Sequence, residues 1–101
     1  MDTLKNRTRE FALRIVRLCA ALPTNRLGDV IGRQLLKAGT SPGAHFREAL
    51  RARSKAEYAA KLNCGLMELE EALYWLEIIE GANLVAPKKL QQIKQETEAL
   101  T

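Results

Sequence analysis

His45 and the two cysteines, Cys19 and Cys64, are the side chains of this 101-residue chain best suited to nucleophilic, proton-relay or soft-metal chemistry. If the segments flanking residue 54 fold as a helical hairpin, facing positions sum to about 108 and Cys64 comes opposite His45. A Cys–His nucleophile pair is therefore conceivable. The plainer reading is a helix cysteine beside a histidine that fills a kink and bonds a freed carbonyl. Cys19 and Cys64 form no CxxC, and both read as small buried apolar residues in a reducing compartment. No HExxH, P-loop or GxGxxG fingerprint occurs, and no Glu-x-x-His pair that could bridge metals within a bundle; Gly39-Thr40-Ser41-Pro42-Gly43 has the letters of GxSxG but lies inside a helical segment with no strand before it. The expectation is a chain without catalytic residues, metal or cofactor.

Cations carry more information. Residues 1–60 hold twelve Lys/Arg against five Asp/Glu, whereas residues 61–101 hold four against seven. Such asymmetry fits a nucleic-acid surface or, more simply, basic helices beside acidic ones. Arg7, Arg14 and Arg17 lie near one face of a first helix with Lys5 and Arg9 flanking, and Arg26 and Arg33 follow on a second. These seven are the candidate phosphate-binding residues. Exposed aromatics for base stacking are scarce, and no helix-turn-helix, RRM or KH signature is visible.

Four helices must position these groups, at about residues 3–21, 24–52, 54–80 and 87–100, with no strand, in a single domain. Leu4, Phe11, Ile15, Leu18 and Leu22 give the first its apolar stripe. The second carries Leu27, Ile31, Leu35, Ala38, Phe46, Ala49 and Leu50. Its Gly28, Gly32, Gly39 and Gly43 share one face suited to close helix approach, and Pro42 predicts a kink. Thr24 or Asn25 can cap it. Ser54-Lys55-Ala56-Glu57 is a capping box that opens the third helix, where Leu62, Leu66, Leu69, Leu73 and Leu76 form a heptad seam. Gly81 and Asn83 stop it, and Pro87 starts the fourth, striped by Leu90, Ile93, Thr97 and Leu100. Short connections make successive helices antiparallel, giving an all-α up-down four-helix bundle with a kinked second helix. In that register Arg51 meets Glu57, Glu48 meets Lys61, Thr40 meets Glu68, Lys37 meets Glu71, and Arg33 meets Tyr74 and Trp75, a polar ladder beside the leucine seam. Tyr74 and Trp75 point about 100° apart, so at least one leaves the core and is a candidate for a subunit or partner interface.

The stretch QLLKAGTSPGAHFREALRARSKAEYAAKLNCGLMELEEALYWLEII, residues 34–79, resembles the signature of the bacterial four-helix bundle proteins. These include proteins encoded in 23S ribosomal RNA intervening sequences and the Avd-like accessory proteins of diversity-generating retroelements. The resemblance rests on positions such as Gln34, Thr40, Ser41, Gly43, Ala44, Arg47, Glu48, Arg53, Ser54, Glu57, Lys61, Glu68, Glu71, Tyr74 and Trp75. The chain departs from the pattern at Pro42, where the family has an aliphatic residue, and at His45, where it has Asn. The resemblance implies a homo-oligomeric ring, commonly a pentamer, and, from the retroelement relatives, a basic surface that engages nucleic acid and a reverse transcriptase.

Apolar residues make up 47% and charged residues 28%, a composition for folding rather than disorder. No apolar run approaches the roughly 20 residues of a membrane span, and Met1–Arg7 contains no secretory h-region. A soluble cytoplasmic protein without membrane partners is expected. The function so read is a non-catalytic, self-associating binding module for nucleic acid or a nucleoprotein partner. A scaffold with protein partners only is the alternative.

Overall fold

Four periods of apolar spacing become four helices in the computed structural model, which describes residues 2–101: α1 (Asp2–Ala20), α2 (Arg26–Leu50), α3 (Lys55–Gly81) and α4 (Pro87–Leu100). Among the described residues there is no strand. The molecule is elongated, 44 × 23 × 18 Å, as helices of up to 27 residues laid side by side require. Each of α1 and α3 touches both α2 and α4, while no Cα pair within 8 Å joins α1 to α3 or α2 to α4. The arrangement is a four-helix bundle with those two pairs on its diagonals.

Local chemistry places the helix ends. The Asn25 side chain accepts from the Gly28 amide at 2.9 Å, and the Ser54 hydroxyl accepts from the Glu57 amide at 3.0 Å. The return half of the second cap is displaced by one residue, because the Glu57 carboxylate accepts from the Arg53 amide at 3.4 Å. At the end of α3, Asn83 adopts φ 57°. Its amide donates to the Glu80 carbonyl, and the Leu84 amide reaches back to the Ile79 carbonyl at 3.1 Å. This is a Schellman stop, in which a left-handed residue closes the last turn and delivers Leu84 to the core. Pro87 then opens α4.

The core joins Phe11, Ile15, Leu18 and Leu22 of the α1 side to Ile31, Leu35 and Ala38 of α2, to Leu69, Ala72, Leu76 and Ile79 of α3, and to Leu90 and Ile93 of α4. The glycines of α2 face α1. A Cβ on Gly39 would lie 2.6 Å from the Ile15 side chain, and one on Gly43 would lie 3.4 Å from Thr8. A Cβ on Gly28 would run into the Pro23 carbonyl, so that position is closed by the turn before α2.

Three expectations are corrected. The inward line of α3 is Gly65, Leu69, Ala72, Leu76 and Ile79 rather than the leucine heptad. Leu62 and Leu73 are half-buried and Leu66 is exposed, because α3 turns Gly65 toward α2. The Gly65 position lies against Pro42 and His45, with nearest atoms at 3.6–3.8 Å. Second, Leu4 of the α1 stripe is exposed rather than inward. α2 itself runs through Pro42 as one helix. The Thr40 and Ser41 hydroxyls beside it donate to the Leu36 and Lys37 carbonyls at 2.7 and 2.6 Å. Third, Leu27 and Leu50 are exposed rather than inward, since each sits at an end of α2.

Candidate nucleic-acid interface

The cationic side chains separate into paired and unpaired sets. Arg7 is held by Glu96 of α4, its Nη2 at 3.1 Å from the carboxylate, and Arg9 lies 3.6 Å from Glu10. Arg33 donates to the carbonyl of Asp29 on its own helix at 3.3 Å. Lys5 is half-buried, and Arg26 is exposed at the first turn of α2. Arg26 and Arg33 belong to α2, which does not reach α4, so they stand apart from the α1–α4 seam.

Arg14 and Arg17 do converge with something. They line a cleft of about 340 Å³ between α1 and α4, opposite Lys89 and Gln92, over an apolar floor of Leu18, Ala21 and Ile93. Among the described residues, no carboxylate lies within 4 Å of Arg14, Arg17 or Lys89. Arg14 also borders a second cleft, with Arg7, Glu10 and Glu96. The floor follows from the fold: Leu18 and Ile93 are core residues at the edge of the α1–α4 seam.

Lys89 was missed as a candidate. A signal for it stands in the sequence, because Pro87-Lys88-Lys89 puts two cations in the first turn of a helix. That turn contains no acid, and its N-cap, Ala86, has no side-chain acceptor. Cations there oppose the helix dipole at about 0.3–1 kcal/mol each. The α4 N-terminus is thus an electropositive end with neither cap nor counter-charge, an arrangement that favours an anion.

The polar ladder forms one of its rungs. Glu48 of α2 receives Lys61 of α3 at 3.3 Å and His45 Nδ1 at 3.1 Å. These hydrogen bonds, from His45 first and Lys61 next, hold its carboxyl below the ordinary value. The other rungs find partners nearer in sequence. Glu57 pairs with Arg53, at 3.9 Å, rather than Arg51; Thr40 bonds the Leu36 carbonyl rather than Glu68; and Glu71 accepts from Trp75 Nε1 at 3.2 Å rather than from Lys37. Bonds to residues three or four away on one helix cost less chain ordering than cross-helix pairs, and here they prevail.

His45 and Cys64 do line one shallow groove, together with Lys37, Glu68 and Glu71. His45 is engaged by Glu48, not by a freed carbonyl. Cys64 is exposed, against expectation, because the rotation of α3 turns it outward, whereas Cys19 is half-buried and bonds the Gly32 carbonyl at 3.5 Å. Burial pushes the Cys19 thiol up. Of the aromatic pair, Trp75 rests against the core and Tyr74 is 54% exposed, the rings meeting edge-on with centroids 5.1 Å apart.

Among the described residues, no group of three or more potential metal-ligating His, Cys, Asp or Glu side chains exists, and no helix is long and apolar enough to cross a membrane.

Comparison with known proteins gives a consistent picture. Residues 3–101 match the family model described as 23S rRNA-intervening sequence protein. A crystal structure from Bacteroides thetaiotaomicron, described as a protein with unknown function from the S23 ribosomal protein family, superposes with a TM-score of 0.90 at 35% identity. The match covers 96% of this chain and 90% of that one. No curated protein matches significantly.

Proposed function

Because the chain belongs to the 23S rRNA-intervening sequence protein family, we propose that it is a non-catalytic, self-associating helical module that engages nucleic acid, alone or within a nucleoprotein, through its α1–α4 face. The observation that carries this reading is the convergence of Arg14, Arg17 and Lys89 on one cleft, with no carboxylate of the described residues within 4 Å of any of them. Exposed cations with no partner keep their full field for phosphates, and repeating them in an oligomer multiplies that field. A ring of five copies, and a reverse transcriptase as the nucleoprotein partner, belong to the same reading through the resemblance to retroelement accessory proteins.

The test is salt-dependent binding to RNA or DNA. Replacing Arg14 and Arg17 together by Glu should remove most retention, and should flatten the slope of log K against log salt by at least about 1.4, roughly 0.7 per lost phosphate contact on a single strand. The same charge change at Arg51 and Arg53, in the α2–α3 connection, should cost much less. Equal losses from both pairs, or no binding by the parent protein, would refute the assignment.

A protein-only scaffold is the second reading. It is favoured by the large apolar side chains left uncovered on a single copy, among them Leu13, Val16, Leu36 and Tyr74.

A further inference from the structure

We infer that the α1–α4 cleft takes one unstacked nucleotide of a single strand, phosphate on its rim and base on its floor, and so selects single-stranded over duplex nucleic acid. This rests on the nucleic-acid reading above and goes further, since phosphate binding alone needs no hydrophobic surface. The rim supplies Arg14 and Arg17 from α1 and Lys89 from the uncapped end of α4. Between them the floor of Leu18, Ala21 and Ile93 is apolar, and Gln92 stands at its edge with both amide donors and an acceptor. Cations flanking an apolar slot match the amphipathic shape of a nucleotide. Guanidinium planes can cover a base that lies on the aliphatic floor, which makes up for the scarcity of aromatic platforms.

Size and charge limit what fits. About 340 Å³ lies at the small end of ligand sites, which span roughly 300–1,000 Å³. It holds a unit of nucleotide scale and no double helix, whose bases are stacked inside and whose phosphates lie on a convex surface. Along the same seam Glu10 and Glu96 line the next cleft beyond Arg14. Each is already paired, Glu10 with Arg9 and Glu96 with Arg7, so that cleft offers a continuing backbone less free positive charge.

Ala21 makes the test clean. It is exposed, lies just past the end of α1, and belongs to the floor without belonging to the core. Ala21→Leu fills the slot and changes no charge. Fluorescence anisotropy with a labelled 12-nucleotide RNA, and with the duplex formed on its complement, should show the parent protein binding the single strand at least tenfold more tightly at equal salt. Ala21→Leu should bring the single strand down to the duplex level with the salt slope retained. If the parent binds duplex as tightly as single strand, or Ala21→Leu leaves single-strand affinity intact, the nucleotide slot is wrong. In that case a loss on both probes with Arg14→Glu/Arg17→Glu would preserve the broader nucleic-acid reading. Binding to neither probe overturns both.

Discussion

At Gly39 the first two helices lie closer together than a methyl group allows. A Cβ there would meet three atoms of Ile15 at 2.6–2.9 Å, and Ile15 is fully buried, so it has no space into which to yield. Gly39→Ala should therefore destabilise by ~1–3 kcal/mol in urea unfolding despite its better helix propensity. Gly65 is the contrasting case. Its nearest neighbours would stand at ordinary contact distance, 3.6–3.8 Å, so Gly65→Ala should gain about 1 kcal/mol from propensity alone. Opposite signs at two glycines of one hairpin would confirm that the first sets a helix–helix distance and the second does not. Glu48 gives a pH signature at the same scale. Its carboxyl is lowered in the folded state by His45 and Lys61, so its contribution is complete above the ordinary value of 4.5 and fades as pH falls through the lowered one. Glu48→Gln should lose stability against the parent at pH 7 and converge with it in acid, as thermal melts across that range would show. Lys94 behaves in the reverse sense. Its hydrogen bond to Glu80, at 2.7 Å, raises its pKa above 10.5, and that stabilisation is lost as pH rises through the raised value.

The elements follow from local rules where those rules compete with nothing else. Asn83 is the clearest instance, a non-glycine residue at φ 57° that ends α3. Asn83→Gly should be neutral or stabilising, and Asn83→Ala should cost about 1 kcal/mol, both read from thermal unfolding. Caps at Asn25 and Ser54, the stop at Gly81 and Asn83, and the start at Pro87 were all legible in the sequence, because each is chemistry between residues three to six apart. The stripe of α4 was legible too, and that of α1 from Phe11 to Leu22, although Leu4 is exposed and Leu13 and Val16 lie off the buried face. α3 was not. It carries Leu66, Met67 and Tyr74 outward as well as Leu69 and Leu76 inward, so no single period distinguishes its core face. What decided the matter was the small size of Gly65 opposite Pro42 and His45 of α2, a fact about a neighbour. The α1–α4 cleft was half legible for the same reason. Arg14 and Arg17 were visible as a basic face, but joining them to Lys89 needs two segments more than 70 residues apart to be side by side.

As a whole molecule the bundle is covered on some sides and bare on others. Leu13 and Val16 on α1 and Leu36 on α2 are each more than a third exposed, and the pairing of Gly39 with Ile15 brings these parts of the two helices together. If the protein self-associates over this face, Val16→Glu with Leu36→Glu should reduce the light-scattering mass to that of a single chain, while far-UV helicity and melting change little because neither side chain supports the core. An unchanged mass would move the interface elsewhere, to Tyr74 for example. α4 has the weakest hold. It has 14 residues and buries Leu90, Ile93 and Thr97 along one stripe, with ion pairs at Arg7–Glu96 and Glu80–Lys94 tying it to both neighbours. Such an element is the natural unit of partial opening, able to swing away while the long α2–α3 hairpin stays folded. Because one wall of the cleft rides on it, occupancy of the cleft and closure of α4 are thermodynamically linked. Amide protons of α4 should exchange first in the empty protein, and a bound strand should slow them more than those of any other helix.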